Sequence, residues 1–176
     1  IFRLITSKIT PKFVSDKIND YSIRMTIKNE DIVQTISLSS MILCLDKQGI
    51  IHIRYLEGQV IDVKEKIEEK RALLDLTKGE KHLILISFDH FVTVTKEAKE
   101  YSILVEPEQP FLAVAILVEN LAYQLMADFY FKFYKPQIVY KVFKSHPKAT
   151  EWLIEVRKNP PPPKPKYKGK ITIWNL

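Results

Sequence analysis

Cysteine is nearly missing from this chain: Cys44 stands alone among 176 residues. A lone thiol excludes an internal disulfide framework and a zinc site built from cysteines, and points to a reducing, cytoplasmic setting. Glycine is almost as scarce. Gly49, Gly58, Gly79 and Gly169 lie far apart, so neither a P-loop nor a dinucleotide-binding fingerprint can be written. Long apolar runs are absent too. The longest, Phe111 to Val118, is far short of the roughly 20 residues that cross a bilayer, so no membrane role is expected. The opening Ile-Phe-Arg-Leu-Ile-Thr lacks the apolar stretch of a secretory signal and an initiating methionine, which disfavours secretion and leaves room for a removed leader. Histidine occurs four times, at His52, His82, His90 and His146, with no metal-ligand spacing. No metal or cofactor is expected.

What is present reads as a globular protein. Apolar types reach 46% and charged types 27%, which excludes disordered and fibrous chains. The formal charge is +6, but it is concentrated at the end of the chain. Residues 158–176 carry +5 and residues 1–40 carry +2, leaving −1 for 41–157. A nucleic-acid groove needs clustered charge on the folded body, so nucleic acid is not an expected partner. Five lysines interleave with aromatics between Phe129 and Thr150. A buried aromatic face with solvated lysines opposite explains that pattern better than single-strand stacking.

Three segments follow from the patterning. Residues 1–40 read as a β extension. Phe2 to Ile9 suits a strand, and Tyr21, Ile23, Met25 and Ile27 alternate with polar neighbours before Asn29-Glu30-Asp31 turns into Ile32–Leu38. Residues 41–157 form the main domain. Met41–Asp46 and Ile50–Leu56 flank Lys47-Gln48-Gly49 as a hairpin. Asp62 and Glu65 resemble a capping box for a helix with Val63, Ile67 and Leu74 as its apolar face.

His82–Phe88 and Phe111–Val118 are continuous apolar runs, as expected of strands covered on both sides. Thr93 or Thr95 caps the helix between them. Asn120 caps the next helix, whose Leu121, Leu125, Phe129 and Phe133 are expected to face the sheet. Ile138–Phe143 is a further strand. Ser145 caps a last helix with Ala149, Trp152, Leu153 and Val156 on one face. The order β-β-α-β-α-β-α-β-α predicts an α/β mixed sheet with parallel central strands around Leu85 and Val114. Residues 158–176 make a Pro/Lys-rich tail: a stiff spacer over 159–170, then a possible terminal strand from Ile171 to Leu176.

The segments GIIHIRYLEGQVIDVKEKIEEKRALL, KHLILISF, VTKEAKEY, AVAILVEN, FYFKFYKP, KVF and ATEWL fall in an order that resembles a bacterial STAS-like family of the SpoIIAA-like superfamily, relatives of anti-sigma-factor antagonists. The resemblance covers roughly residues 40–156. It implies the SpoIIAA/STAS-like fold and regulation through protein–protein contact rather than catalysis. Phosphoswitch members carry an Asp-Ser-Ser-Gly-like sequence at the helix after the central strand; this chain has Phe91-Val92-Thr93-Val94-Thr95-Lys96-Glu97 there. Thr93 and Thr95 are therefore the candidate phosphoacceptors, and also ordinary helix caps.

Two other candidate sites come from position. Asp89 and His90 follow the carboxyl end of a central strand, where α/β folds bind ligands. Tyr123, Tyr130 and Tyr134 lie off the Leu/Phe stripe and are candidate interface aromatics. Ser87 lacks the glycines of a nucleophile elbow. His52, His82 and Cys44 read as structural. No catalytic residue is expected. The reading is a non-enzymatic regulatory or scaffolding module with a protein partner or a second copy (a dimer). The alternative is a carrier of a small apolar or lipid-like ligand, with the aromatic helix lining its cavity.

Overall fold

The computed structural model describes residues 27–119, 121–134 and 136–162. Eight strands and four helices follow one another: β1 (Ile32–Ser37), β2 (Met41–Asp46), β3 (Ile50–Tyr55), β4 (Val60–Ile61), α1 (Val63–Thr77), β5 (His82–Phe88), β6 (Thr93–Val94), α2 (Lys96–Val105), β7 (Phe111–Leu117), α3 (Leu121–Tyr134), β8 (Val139–Phe143) and α4 (His146–Lys158). The expected order is observed, with the two-residue strands β4 and β6 added. Among the described residues no helix is long and apolar enough to cross a membrane.

The main sheet runs β1-β2-β3-β5-β7-β8. The first three strands pair antiparallel and the rest parallel. Ile84 pairs with Val114 and Leu85 with Ala115, so the two apolar runs lie side by side in one direction. The β2–β3 hairpin closes at Gly49, whose φ of 74° is a left-handed conformation that glycine adopts without strain. The second strand of the expected N-terminal hairpin is β1, and it joins the sheet beside β2. Phe2–Ile9, most of the partner arm at Tyr21–Lys28, the Asn120 cap and Ile171–Leu176 lie outside the described residues.

Period-2 alternation places β3 in both cores at once. Ile51, Ile53 and Tyr55 meet Ala72, Leu73 and Leu76 of α1. Ile50, with Leu83, Leu85, Ala113 and Ala115, meets Ala149, Leu153 and Val156 of α4, and Trp152 packs beside them. That face of α4 is the expected one.

Two helix faces differ from expectation. In α1 the buried set is Glu69, Ala72, Leu73, Leu76 and Thr77, whereas Val63 and Ile67 are half-buried and Leu74 is exposed. The helix is rotated because Glu69 enters the core with its own partners: Tyr55 Oη donates to Glu69 Oε2 at 2.5 Å, and Lys66 Nζ reaches the same oxygen at 2.5 Å. In α3 the middle of the expected stripe does not face the sheet, because Leu125 is 60% and Phe129 71% exposed, while the Leu121 and Phe133 side chains lie outside the described residues. Residues four apart advance 400° and so drift about 40° per step around a helix. The helix is instead set by Phe131, whose ring lies 4.9 Å from that of Tyr140, and by Tyr130 Oη, which donates to the Lys99 carbonyl.

Candidate functional site

The carboxyl ends of the parallel strands carry most of the residues picked out from the sequence. Arg54, near the end of β3, is buried, and its Nε and Nη2 donate to Asp89 Oδ1 at 2.7 and 2.6 Å. The Asp89 amide also donates to the Tyr55 carbonyl. A buried guanidinium needs such a counter-charge, because removing one partner strands the other in a poor solvent for ions. Asp89 is thereby a structural anchor for the loop that follows β5.

From that anchor the loop is laced to the segment before α1. Gly58 N donates to the His90 carbonyl, Thr93 N to the Gln59 carbonyl and Thr95 N to the Ile61 carbonyl, which makes the parallel β4–β6 ribbon. Thr95 is the N-cap of α2: its Oγ1 accepts from Ala98 N at 3.1 Å and donates to Asp62 Oδ1 at 2.8 Å. Asp62 is itself the N-cap of α1. It accepts from Val63 N, and Glu65 Oε2 accepts from Asp62 N, completing the expected capping box. One hydroxyl thus joins the starts of two helices. Thr93 lies on the exposed side of the ribbon.

At the tip stands Phe91. Its φ is 59°, a left-handed conformation that is strained for a bulky side chain, and its side chain is 80% exposed. Val60, also well exposed, is on the facing strand of the ribbon. His90 Nδ1 lies 3.5 Å from Glu119 Oε2, with both groups well exposed. A pair so hydrated contributes little to stability. Exposed Glu57, Glu97 and Glu119 outnumber Lys96 among the charges of these segments.

A second polar cluster lies under α4. Asp46 Oδ1 accepts from the Gln48 and Ile50 amides and so shapes the β2–β3 turn, while Oδ2 lies 2.9 Å from His52 Nε2. The His52 ring stacks on His146, centroids 5.6 Å apart. Burial holds the His146 imidazole below its ordinary pKa, His52 adds to that, and Asp46 opposes it. His146 Nε2 and Thr150 Oγ1 are buried with no hydrogen-bond partner. The cap expected of Ser145 is not made: the residue occupies the N-cap position of α4, but its hydroxyl accepts no bond from the first turn.

A third network is structural. Burial, reinforced by Glu69, pushes the Tyr55 phenol well above its usual range. Burial, then Glu106, does the same to Tyr140. Glu106 accepts from the Gln137 and Ile138 amides and so holds the approach to β8.

The structure therefore brings Asp89, His90, Thr93 and Thr95 onto one laced loop. Tyr123 is exposed on α3, Tyr130 is half-buried against α2, and the Tyr134 side chain lies outside the described residues. Cys44 is a buried thiol beside Thr35, raised in pKa by burial. Sequence reasoning missed Arg54, the strain at Phe91 and the Asp46–His52–His146 cluster. Parity gave one legible hint: 46 and 52 fall on the same face of a hairpin in which Cys44 pairs with His52. Among the described residues no group of three or more His, Cys, Asp or Glu side chains is placed to hold a metal ion.

No curated protein matches the chain. A solved structure that does is an uncharacterised protein of the DUF3478 family with a SpoIIAA-like fold from Shewanella loihica PV-4. It is 13% identical, aligns over 69% of this chain and 91% of that one, and has a TM-score of 0.45. The model of DUF7793, a domain of unknown function, matches residues 43–157, from β2 to the end of α4, and the chain belongs to that family.

Proposed function

We propose that the chain is a non-enzymatic regulatory or scaffolding module of STAS-like kinship, acting in a bacterial cytoplasm by docking a protein partner at the loop bearing Phe91. The observation that carries this reading is Phe91 itself. An exposed phenylalanine in a left-handed conformation is unfavourable twice over, in backbone strain and in wetted apolar area. The anchor at Asp89 and the β4–β6 ribbon hold it there nonetheless. The occupant that suits it is a protein with an apolar pocket for Phe91 and Val60 and a basic rim facing Glu57, Glu97 and Glu119. Modification of the exposed Thr93 would place phosphate charge beside Phe91 and change docking. At Thr95 a phosphate would displace the bond to Asp62 and meet its carboxylate. The alternative reading, a carrier of a small apolar or lipid-like ligand, has weaker support, because the groove described along the surface of α4 is lined by that helix alone.

The test is photo-crosslinking in cells with Phe91→p-benzoylphenylalanine, using the same replacement of the exposed Glu80 as a control. A discrete crosslinked protein species at position 91, absent at position 80 and lost on adding Val60→Lys, is the expected result. Its mass separates a second copy from a different protein. Equal labelling at both positions, or none at 91, removes the reading.

A further inference from the structure

We infer, resting on the docking reading above, that the partner at the Phe91 loop is a second copy of this chain, whose Pro/Lys-rich residues 158–176 cover the loop. The two surfaces are opposite in charge. Residues 158–176 hold five lysines and no acid, for +5, while residues 41–157 carry −1. Around the loop Glu57, Glu97 and Glu119 are exposed. Patches of opposite sign on one chain draw separate copies together and select their orientation.

The apolar parts match as well. At the loop tip the His90 and Phe91 rings stand 6.3 Å apart, tilted by 54°, and Val60 is exposed on the facing strand. Aromatic clefts take proline-rich chains, because polyproline is extended before it binds and loses little entropy on docking. Pro160, Pro161 and Pro162 are exposed. Pro163 and Pro165 follow among the lysines, with Ile171, Ile173 and Trp174 beyond them. One segment thus carries both the apolar cover for Phe91 and the basic rim.

The fold keeps the two surfaces at opposite poles. Phe91 follows the carboxyl end of β5, and α4 starts at that same end, after β8. The far end of α4 is held at the other pole, where Arg157 Nη1 donates to the Gln48 carbonyl in the turn before β3. β5 has seven residues, so the poles lie about 23 Å apart. Consecutive prolines keep a chain extended and do not fold it back within the run. The run that starts at Pro160 begins away from its own loop, which favours the loop of another copy. Such a contact joins two different surfaces and repeats from copy to copy.

Sedimentation equilibrium of the full chain tests this. The expected result is a mass that grows past the dimer with concentration. Association is expected to weaken about tenfold as sodium chloride rises from about 0.05 to about 0.5 M. Phe91→Asp removes one side of the contact, and Lys164→Glu, Lys166→Glu, Lys168→Glu and Lys170→Glu together remove the other. Each variant alone is expected to be monomeric. Mixed, they still offer one native loop and one native lysine segment, so the mixture forms a dimer and stops there.

A native chain that stays monomeric up to about 0.2 mM, or association indifferent to salt, overturns the inference. So does either variant associating as strongly as the native chain, or a mixture of the two folded variants that does not dimerise. The salt comparison needs no variant, so it decides even if one fails to fold. A monomeric native chain that still crosslinks at position 91 to a protein of different mass removes the second copy and leaves the docking loop. No crosslink at 91 removes both.

Discussion

The two faces of β3 differ in how they tolerate burial. Residues 51, 53 and 55 point one way and 50, 52 and 54 the other, and all six are buried. On the first face Ile51 and Ile53 are covered by the leucines of α1, and the only polar atom, the Tyr55 hydroxyl, is bonded to Glu69. On the second face His52 and Arg54 are as deeply covered, and each needs a carboxylate, Asp46 and Asp89 respectively. Apolar packing is non-directional and tolerant, whereas a buried charge or polar ring is stable only while its hydrogen-bonding partner holds its place. The polar face is therefore the one that specifies geometry: Asp46 sets a turn and Asp89 fixes the loop bearing Phe91.

That contrast can be broken most forcefully on the apolar side. Ile53→Ala removes a fully buried side chain from the core against α1, and a loss of about 3–4 kcal/mol is expected in urea unfolding. The polar side gives a smaller but more diagnostic effect. Asp89→Ala strands the Arg54 guanidinium and is expected to lower stability by about 2–3 kcal/mol, discounted because the Asp89 carboxylate keeps some exposure. The double change Arg54→Met with Asp89→Leu restores most of it. If the double variant is no better than Asp89→Ala, the pair is not what holds the loop.

The smallest effect is one of pH. Because the His146 pKa is lowered in the fold, neither state gains a proton at it well above about pH 6.5. As pH falls through that value the unfolded chain takes up a proton that the folded chain resists, so stability declines until the folded-state pKa is passed. Unfolding midpoints measured from pH 7.5 to 5 should fall less steeply for His146→Gln than for the native chain. Parallel slopes would mean that the stacked pair contributes nothing.

Much of the architecture was legible. The hairpin of Met41–Asp46 and Ile50–Tyr55 around Lys47-Gln48-Gly49, the apolar runs at His82–Phe88 and Phe111–Leu117, the capping box at Asp62 and the face of α4 all report local rules, and each appears where those rules put it. The two missed helix faces share one cause. In α1 a glutamate went inside because Tyr55 and Lys66, distant or charged in the sequence pattern, were waiting for it. In α3 the spacing of apolar residues was compatible with several rotations, and contact with Tyr140 selected one. The candidate loop was legible as a position, through Asp89, His90, Thr93 and Thr95, but its anchor was not: Arg54 and Asp89 lie 35 residues apart.

By itself the sequence determined the order and kind of elements, the parallel centre and the lack of recognisable catalytic or metal motifs, because periodicity, caps and glycine placement act over a few residues. The tertiary structure decided which carboxylate meets which cation, how far each helix turns about its axis, and that Phe91 is held outward in a strained conformation. Those outcomes depend on contacts between segments far apart in the chain, where a charge or an aromatic ring has several possible partners and only the packed fold selects one.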